Sequence, residues 1–535
     1  MFYATERTRI ILITILFILF YVLLIGRLYV LQMVNHDFYV ALAEKQYQVT
    51  VILPASRGLI FDRHNIPLAL NNEAISAFII PEKINNENRL CHYLKQELPR
   101  TYELLQDNKQ KKFMYLSRHI NDEQKKVFEA FPEVHFLKEP ARLYLHSSCA
   151  TVVGLTDVDN QGVSGIEFGM QETLAGKATI QQFEKDAKSD FFHSNTIDVQ
   201  GGYAGQNIYL TIDSTLQFLI TKKLKKHCKK NLCSQAGVVV LDPANGDILT
   251  MSSYADQAEL QMKNNCISNA YEFGSVCKIF AALAAVEEKV VTVDELIDCK
   301  NTKTARLDGR TVNTWKAHGL LSFKEVVAMS NNIGIAQVAK RLDVLLYKHY
   351  KQLGFAKNLD IPLPAKQRGT ITHPANWSKQ SLISLSYGYE VSATLLHLAC
   401  AFLPIAHDGY KVKPRLLLNV PIKIGKKLYH SETITTIKDI LRETTERGTA
   451  RKARIKGYDV LCKTGSAHLL VDGRYSMDDN IYSCLGMVEK NGYQRVIAVY
   501  VQKNGPGQKD TFASTMAAPL FETVAETVLL YDRIL

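Results

Sequence analysis

Tyr271-Glu272-Phe273-Gly274-Ser275-Val276-Cys277-Lys278 runs directly into residues 279–288, an alanine-rich apolar stretch that reads as helix. Gly274 marks the helix start and Ser275 falls in its first turn. Positions i and i+3 share one helix face, so Lys278 can reach the Ser275 hydroxyl. A serine is a poor nucleophile until a base takes its proton, and a lysine does so only when burial or a neighbouring cation depresses its pKa. The helix N-terminus adds backbone N–H groups able to face a developing oxyanion. By itself a Ser-x-x-Lys also suits an ordinary surface helix, so its meaning depends on the rest of the chain.

Two further segments supply that context. Ser330-Asn331-Asn332 follows the amphipathic run 322–329 and offers a hydroxyl and an amide that can relay protons and grip a peptide backbone; alone it would be a capped turn. Lys463-Thr464-Gly465-Ser466 follows the strand-like stretch 458–462. Its glycine permits close backbone approach and its cation and hydroxyls suit a carboxylate, although alone it would be a strand end. The order Ser-x-x-Lys, Ser-x-Asn, Lys-Thr-Gly occurs once, each element in the setting its role requires: helix start, loop, strand.

Around these motifs, residues 207–211 read as a strand and 214–230 as a helix. A hairpin over 236–241 and 247–251 turns at Asn245-Gly246, a second over 482–501 turns at Asn491-Gly492, and 512–535 reads as a closing apolar helix. Helices interspersed with antiparallel hairpins predict a layered α/β (α+β) domain from about residue 201 to 535. Residues 36–200 mix strand-like runs with polar helical stretches and bring no nucleophile and base to a useful spacing, so they read as a pedestal. Within them 49–53 is a β-branched run, broken by Pro54-Ala55-Ser56-Arg57-Gly58, and Leu59-Ile60-Phe61 resumes the extended pattern.

Residues 10–26 carry no charge and 28–34 continue apolar after Arg27, which can snorkel from near a helix end. Together they can span a bilayer, and the absence of a small-x-small cleavage site predicts an uncleaved anchor within residues 1–35. Arg7 and Arg9 flank it, which predicts a cytoplasmic N-terminus with everything after about residue 35 outside. The net charge of +11 is spread along the chain without a nucleic-acid motif, so no nucleic-acid partner is expected. The densest basic cluster, Lys222, Lys223, Lys225, Lys226, Lys229 and Lys230, reads as the exposed face of the 214–230 helix. Ten cysteines form no Cys-x-x-Cys pair and no ligand spacing with histidine, so neither metal nor cofactor is expected. Cys228 and Cys233 can bridge in an oxidising compartment, and Cys277 and Cys462 read as small buried hydrophobes.

On these motifs the chain resembles the class B penicillin-binding proteins over nearly its whole length. Arg57-Gly58-Leu59-Ile60-Phe61-Asp62-Arg63 with Leu68-Ala69 is similar to that family's first non-catalytic motif, and Gly162-Val163-Ser164-Gly165-Ile166-Glu167 to a later one. The resemblance implies a single transmembrane helix, an elongated pedestal, and a transpeptidase domain built on a five-stranded antiparallel sheet flanked by helices. It implies peptidoglycan D,D-transpeptidation through an acyl-serine: Ser275 as nucleophile, Lys278 as base, Ser330 passing a proton to the leaving amine, and Asn332 holding the donor peptide. It further implies that Lys463, Thr464, Gly465 and Ser466 form the substrate-binding strand, with backbone N–H groups of Ser275 and Ser466 holding the oxyanion. Stem peptides are then the substrates, β-lactams the inhibitors, and a SEDS-type membrane glycosyltransferase with divisome proteins the partners, in the bacterial cytoplasmic membrane. Ser330-Asn331-Asn332-Ile333-Gly334 and Ser386-Tyr387-Gly388-Tyr389 resemble the septal branch, whereas Ile66-Pro67-Leu68-Ala69-Leu70-Asn71 resembles the elongation branch. Departures are Phe273, Val276, Cys277, Glu390, Leu395, His397 and Ser466; none removes a required functional group. A pairing of Arg57 or Arg63 with Glu167 is expected to brace the pedestal.

Three other readings compete. A serine β-lactamase would be shorter and need a deacylating base. A β-lactam-sensing receptor would carry more membrane segments and a cytoplasmic effector. A division scaffold would keep the fold with an inactive site.

Overall fold

The computed structural model describes residues 2–84, 89–185, 192–471, 473–505 and 511–534. The chain forms two compact units that do not follow chain order: residues 1–58 with 175–206, and residues 59–174 with 207–535.

In the first unit the helix Phe2–Tyr29 passes into a wider turn, Val30–Val34, and is followed by the helix His36–Tyr47. Thr5–Val34 is the one segment among the described residues long and apolar enough to cross a membrane. At 1.5 Å per residue it reaches about 45 Å, more than the ~30 Å of a hydrocarbon core. The strand Gln48–Leu53 then pairs antiparallel with Thr179–Lys185, which pairs in turn with Phe192–Gln200.

The second unit centres on a five-stranded antiparallel sheet. Its order is Ile248–Ala255, Gln235–Leu241, Tyr493–Lys503, Arg474–Lys490, Asp459–Val471. Both faces are covered, and the period-two alternation of a strand divides the side chains between them. Ala236, Val238 and Val240 join Ile497, Val499 and Val501 against Leu216, Ile220, Leu224, Phe521 and Val524. Val239 and Leu241 join Val496, Ala498 and Tyr500 on the other face, with Leu395, Leu398 and Phe280. Each fully buried valine or leucine contributes about 1.5–3 kcal/mol, so register is strongly specified. The covering helix Ser214–Asn231 starts at Asp213, whose carboxylate accepts the Leu216 N–H. Leu216, Ile220, Leu224 and Cys228 recur every four residues on its buried side, and the six lysines of its basic cluster are exposed. Cys228 and Cys233 are both buried free thiols.

Residues 59–174 add a second sheet to this unit. Its long central strand, Pro67–Ile79, pairs with Met114–Ile120, His135–Tyr144 and Ile60–Phe61, and Ile60–Phe61 pairs in parallel with Ile208–Tyr209. Asp62 fixes that junction. Fully buried, its carboxylate accepts from the backbone N–H groups of His64 and Ile66, the N–H of Ser214 at 3.1 Å and the Ser214 hydroxyl at 2.7 Å. A buried carboxylate with four donors is satisfied in the low-dielectric interior and would be costly with fewer.

The hairpins expected around Asn245-Gly246 and Asn491-Gly492 and the closing helix, Ala513–Tyr531, are present. The lysine strand is longer than its sequence pattern. It runs through Gly465 and Ser466 to Val471, because Arg474–Lys490 pairs with it along almost its whole length. Glu167 takes Arg142, whose Nε donates to Oε1 at 2.8 Å with both side chains buried. Arg142 lies outside the two pedestal motifs, so nothing local in the sequence points to it. Breaking a buried pair from one side strands the other charge. Glu167→Ala is therefore expected to lower stability by about 3 kcal/mol in urea unfolding of the detergent-solubilised chain, and an unmoved midpoint would show that the pair contributes nothing.

Candidate active site

Lys278 opens the helix Lys278–Glu287, and the residues before it, Gly274–Cys277, form a single 3-10 turn. Three residues per turn eclipse positions i and i+3, which sets Ser275 and Lys278 on the same side more directly than an α-helix does. Phe273, Val276 and Cys277 are buried and hold this turn against the core. The three residues at which the chain departs from the family pattern here are thus packed in the core and do not face the groove.

Lys278 is completely buried. Its Nζ donates to the Ser330 carbonyl oxygen at 2.6 Å, Ser330 Oγ at 3.1 Å and Asn332 Oδ1 at 2.5 Å. The charged neighbour acting on it is another lysine. Burial first, and the Lys463 ammonium second, hold the Lys278 pKa well below the ordinary lysine value.

The second motif is shaped to meet that lysine. Phe323–Ala328 forms a short helix started by the Ser322–Glu325 capping box, and Asn331 starts the next helix, Asn332–Leu342, by accepting the Gly334 N–H at 2.9 Å. Between them Ser330 has φ of +57°, a left-handed conformation rare for a residue with a side chain. The carbonyl and hydroxyl of Ser330 both reach Lys278 from this position, so the strained backbone is what presents them to the buried lysine. Asn332 is the first residue of the helix rather than part of a loop. Its Nδ2 donates to the Asn313 carbonyl oxygen at 2.6 Å, so both ends of the amide are engaged by protein.

Strand parity places the third motif. Cys462 packs on the Phe521 face and Leu461 on the Phe280 face, so Lys463 points with Leu461 toward the Ser275 turn. It too is fully buried; its Nζ donates to the Thr464 carbonyl oxygen at 3.0 Å, and burial pushes its pKa down to about 7. Two glycines let strand and turn meet. A Cβ on Gly465 would lie 2.4 Å from the Phe273 carbonyl oxygen, and one on Gly274 would lie 2.4 Å from the Ser466 carbonyl oxygen. Any side chain at either position would push Ser466 away from Ser275.

The three motifs open onto one groove of about 640 Å³. Ser275, Ser330, Asn332, Thr464, Gly465 and Ser466 line it, while Lys278 and Lys463 are buried within the same convergence. The groove also exposes residues that the sequence reading did not name. Thr464 Oγ1 donates to Thr449 Oγ1 at 2.9 Å; Trp315, 54% exposed, donates from Nε1 to the Met329 carbonyl oxygen at 2.7 Å; and the Ala513 N–H donates to Ser466 Oγ at 3.2 Å. Gly448-Thr449, a break just before a strand, and a rare tryptophan beside the Ser-x-Asn region were the available signals. Neither carries chemistry until the fold aligns it.

Residues 236–526, more than half of the chain, match the penicillin binding protein transpeptidase domain family, and residues 52–210 match the penicillin-binding protein dimerisation domain family. The chain is 27% identical to a protein named probable peptidoglycan D,D-transpeptidase PbpC from Pseudomonas aeruginosa, over 96% of this chain and 94% of that one. It is 25% identical to peptidoglycan D,D-transpeptidase FtsI of Escherichia coli, covering 95% and 89%. The crystal structure of penicillin binding protein 3 from Mycobacterium tuberculosis, complexed with aztreonam, superposes with a TM-score of 0.69 at 22% identity, covering 90% of this chain and 98% of that one, which shows a shared fold. The two family matches, in this order along a chain that relatives follow almost end to end, mean that this chain belongs to the class B penicillin-binding proteins.

Proposed function

We propose that the chain is a serine-type peptidoglycan D,D-transpeptidase that cross-links stem peptides during septal wall synthesis. The observation that carries the reading is the fully buried Lys278, which has no carboxylate partner among the described residues and is hydrogen-bonded to residues 52 and 54 positions away along the chain.

Lys278 has three acceptors, which match the three donors of an ammonium. When it is neutral it has two donors and a lone pair, and the lone pair can take the Ser275 proton. Ser275 Oγ then attacks the carbonyl between the two terminal D-alanines, with the backbone N–H groups of Ser275 and Ser466 holding the oxyanion. Ser330, already bonded to Lys278, passes the proton to the departing D-alanine amine. The C–N bond breaks, an acyl-serine remains, and the amine of a second stem peptide resolves it into the cross-link while Ser275 recovers its proton. Lys463, Thr464 and Ser466 bind the terminal carboxylate, and the lysine strand pairs with the donor peptide as an added strand. Asn332, with its amide held by Lys278 and Asn313, positions the base as well as facing the groove. A β-lactam presents the same acyl group and carboxylate and acylates the same serine.

Residues 1–35 act as anchor, 36–200 as pedestal and 201–535 as enzyme, with the N-terminus cytoplasmic and the enzyme outside the cytoplasmic membrane. A SEDS-type glycosyltransferase and division proteins are the proposed partners of anchor and pedestal. The septal assignment is supported by Ser330-Asn331-Asn332 and by the similarity to FtsI.

Fluorescent penicillin is expected to label the wild-type chain and not Ser275→Ala; labelling that persists in the variant would sink the assignment. The pH profile of kcat/KM for a peptide donor is expected to be bell-shaped. Lys278 must be neutral to act as base, so the ascending limb lies well below the ~10.4 of a free lysine. Lys463, with its pKa near 7, must be charged to hold the carboxylate, so the descending limb begins at about pH 7. A donor ester lacking the C-terminal carboxylate should show the ascending limb alone. Identical profiles for the two donors would remove Lys463 from the carboxylate site.

A further inference from the structure

The groove carries more positive charge than a C-terminal carboxylate requires. Besides the buried lysines, four cationic side chains line it: Lys316 beside Trp315, and Arg447, Arg451 and Lys452 beside Thr449. All four are exposed, and among the described residues no acidic one lines the groove. Glu443 lies 3.6 Å from Arg447. Among the described residues no carboxylate forms an ion pair with Lys316, Arg451 or Lys452.

Four like charges around one opening repel one another, and a sequence under no constraint would intersperse acids among them, as the rest of this surface does with pairs such as Lys340–Asp308 and Arg442–Asp439. They also come from two separate chain segments, 316 and 447–452, so one local run does not account for them. Two guanidinium groups offer the planar fork that matches a carboxylate, and the ammonium groups of Lys316 and Lys452 add point charges. A groove lined by one sign of charge concentrates ligands of the opposite sign.

Resting on the transpeptidase reading, we infer that Lys316, Arg447, Arg451 and Lys452 recognise a second carboxylate of the stem peptide, one on the body of the peptide and distinct from the C-terminal carboxylate held by the Lys463 strand. The enzyme then selects stem peptides that carry a free acid there over peptides in which it is a carboxamide. The second carboxylate belongs either to the donor peptide or to the acceptor. The chemistry is the same in both cases: an anion replaces the water and counterions held between exposed cations. Exposed charge pairs are individually weak, so the selectivity expected from two or three acting together is roughly five- to tenfold at low salt.

The test uses the full-length chain in detergent and two synthetic pentapeptides ending in D-alanyl-D-alanine. They differ only in a free carboxylate or a carboxamide on the peptide body. Acylation of Ser275 by each donor alone reads the donor arm, and resolution of a preformed acyl-enzyme by each peptide as amine reads the acceptor arm. In one arm kcat/KM should favour the acid roughly five- to tenfold, mainly through KM, and this ratio should shrink as ionic strength rises past the point where the Debye length falls below ~8 Å. In Arg451→Gln/Lys452→Gln the ratio should fall to about twofold or less, and Lys316→Gln should lower it further. The salt dependence of the wild-type ratio stands as a separate readout should a variant fold poorly. Acid-to-amide ratios near one in both arms, or a ratio that survives in the variants, would overturn this inference and leave the transpeptidase reading intact. Absence of acylation by either peptide together with absence of penicillin labelling would overturn both.

Discussion

A lysine ammonium at the head of a buried helix, with no carboxylate to neutralise it among the described residues, is the constraint from which the rest of this unit follows. Such a group is tolerated only if it gives up its charge readily or is surrounded by dipoles that replace water. Lys278 has both: a depressed pKa and three oxygen acceptors from the segment 330–332. That requirement accounts for features that would otherwise look like defects. Ser330 accepts a left-handed backbone so that carbonyl and hydroxyl point the same way, and Asn332 gives up its amide to Lys278 and Asn313. Loss of any one of these acceptors would leave a buried donor unmet, which is why the two motifs act as one structural object.

The sheet supplies the second half of the site through parity and contact distance. Alternation decides that Lys463 faces the Ser275 turn while its neighbour Cys462 packs under the closing helix. Gly465 and Gly274 then remove the Cβ atoms that would hold strand and turn apart. The 17-residue strand Arg474–Lys490 pairs with the lysine strand over almost its full length and packs against the closing helix, so the lysine strand is held rigidly at the distance the glycines permit. A strand held at a fixed distance from the turn keeps the groove's geometry set by the fold rather than by a ligand.

How much of this was legible in the sequence depended on whether the relation was local. Ser275 and Lys278 are three residues apart, and helical geometry alone brings them together. The hairpin turns at Asn245-Gly246 and Asn491-Gly492 are equally local. Lys463-Thr464-Gly465-Ser466 was legible as a motif but not as the middle of a strand, because its glycine reads locally as a break and only pairing with Arg474–Lys490 overrides it. The amide anchor at Asn313, the hydroxyl of Thr449 and the Arg142–Glu167 pair were not legible at all. Each joins segments whose own sequence is unremarkable for a turn, a strand or a helix end. The association of residues 59–174 with 207–535 was hidden for the same reason. It depends on Asp62 meeting Ser214 across 152 residues.

The two buried lysines also constrain each other. A charge on Lys463 raises the free energy of a charge on Lys278, and both sit where the medium screens weakly. Burial, opposed in part by Cys484 and Cys462, brings Lys463 to about 7, so at neutral pH it holds its proton only part of the time. An anion arriving at the Lys463 strand favours the charged form of that lysine, and the anion's own negative charge offsets that cation as Lys278 feels it. Lys278 is thus held toward its neutral form by burial first, with or without a carboxylate on the strand. No moving part is needed for this: burial of two lysines in one dry site depresses both pKa values, and an anion at the strand restores the charge of Lys463 without returning a proton to Lys278.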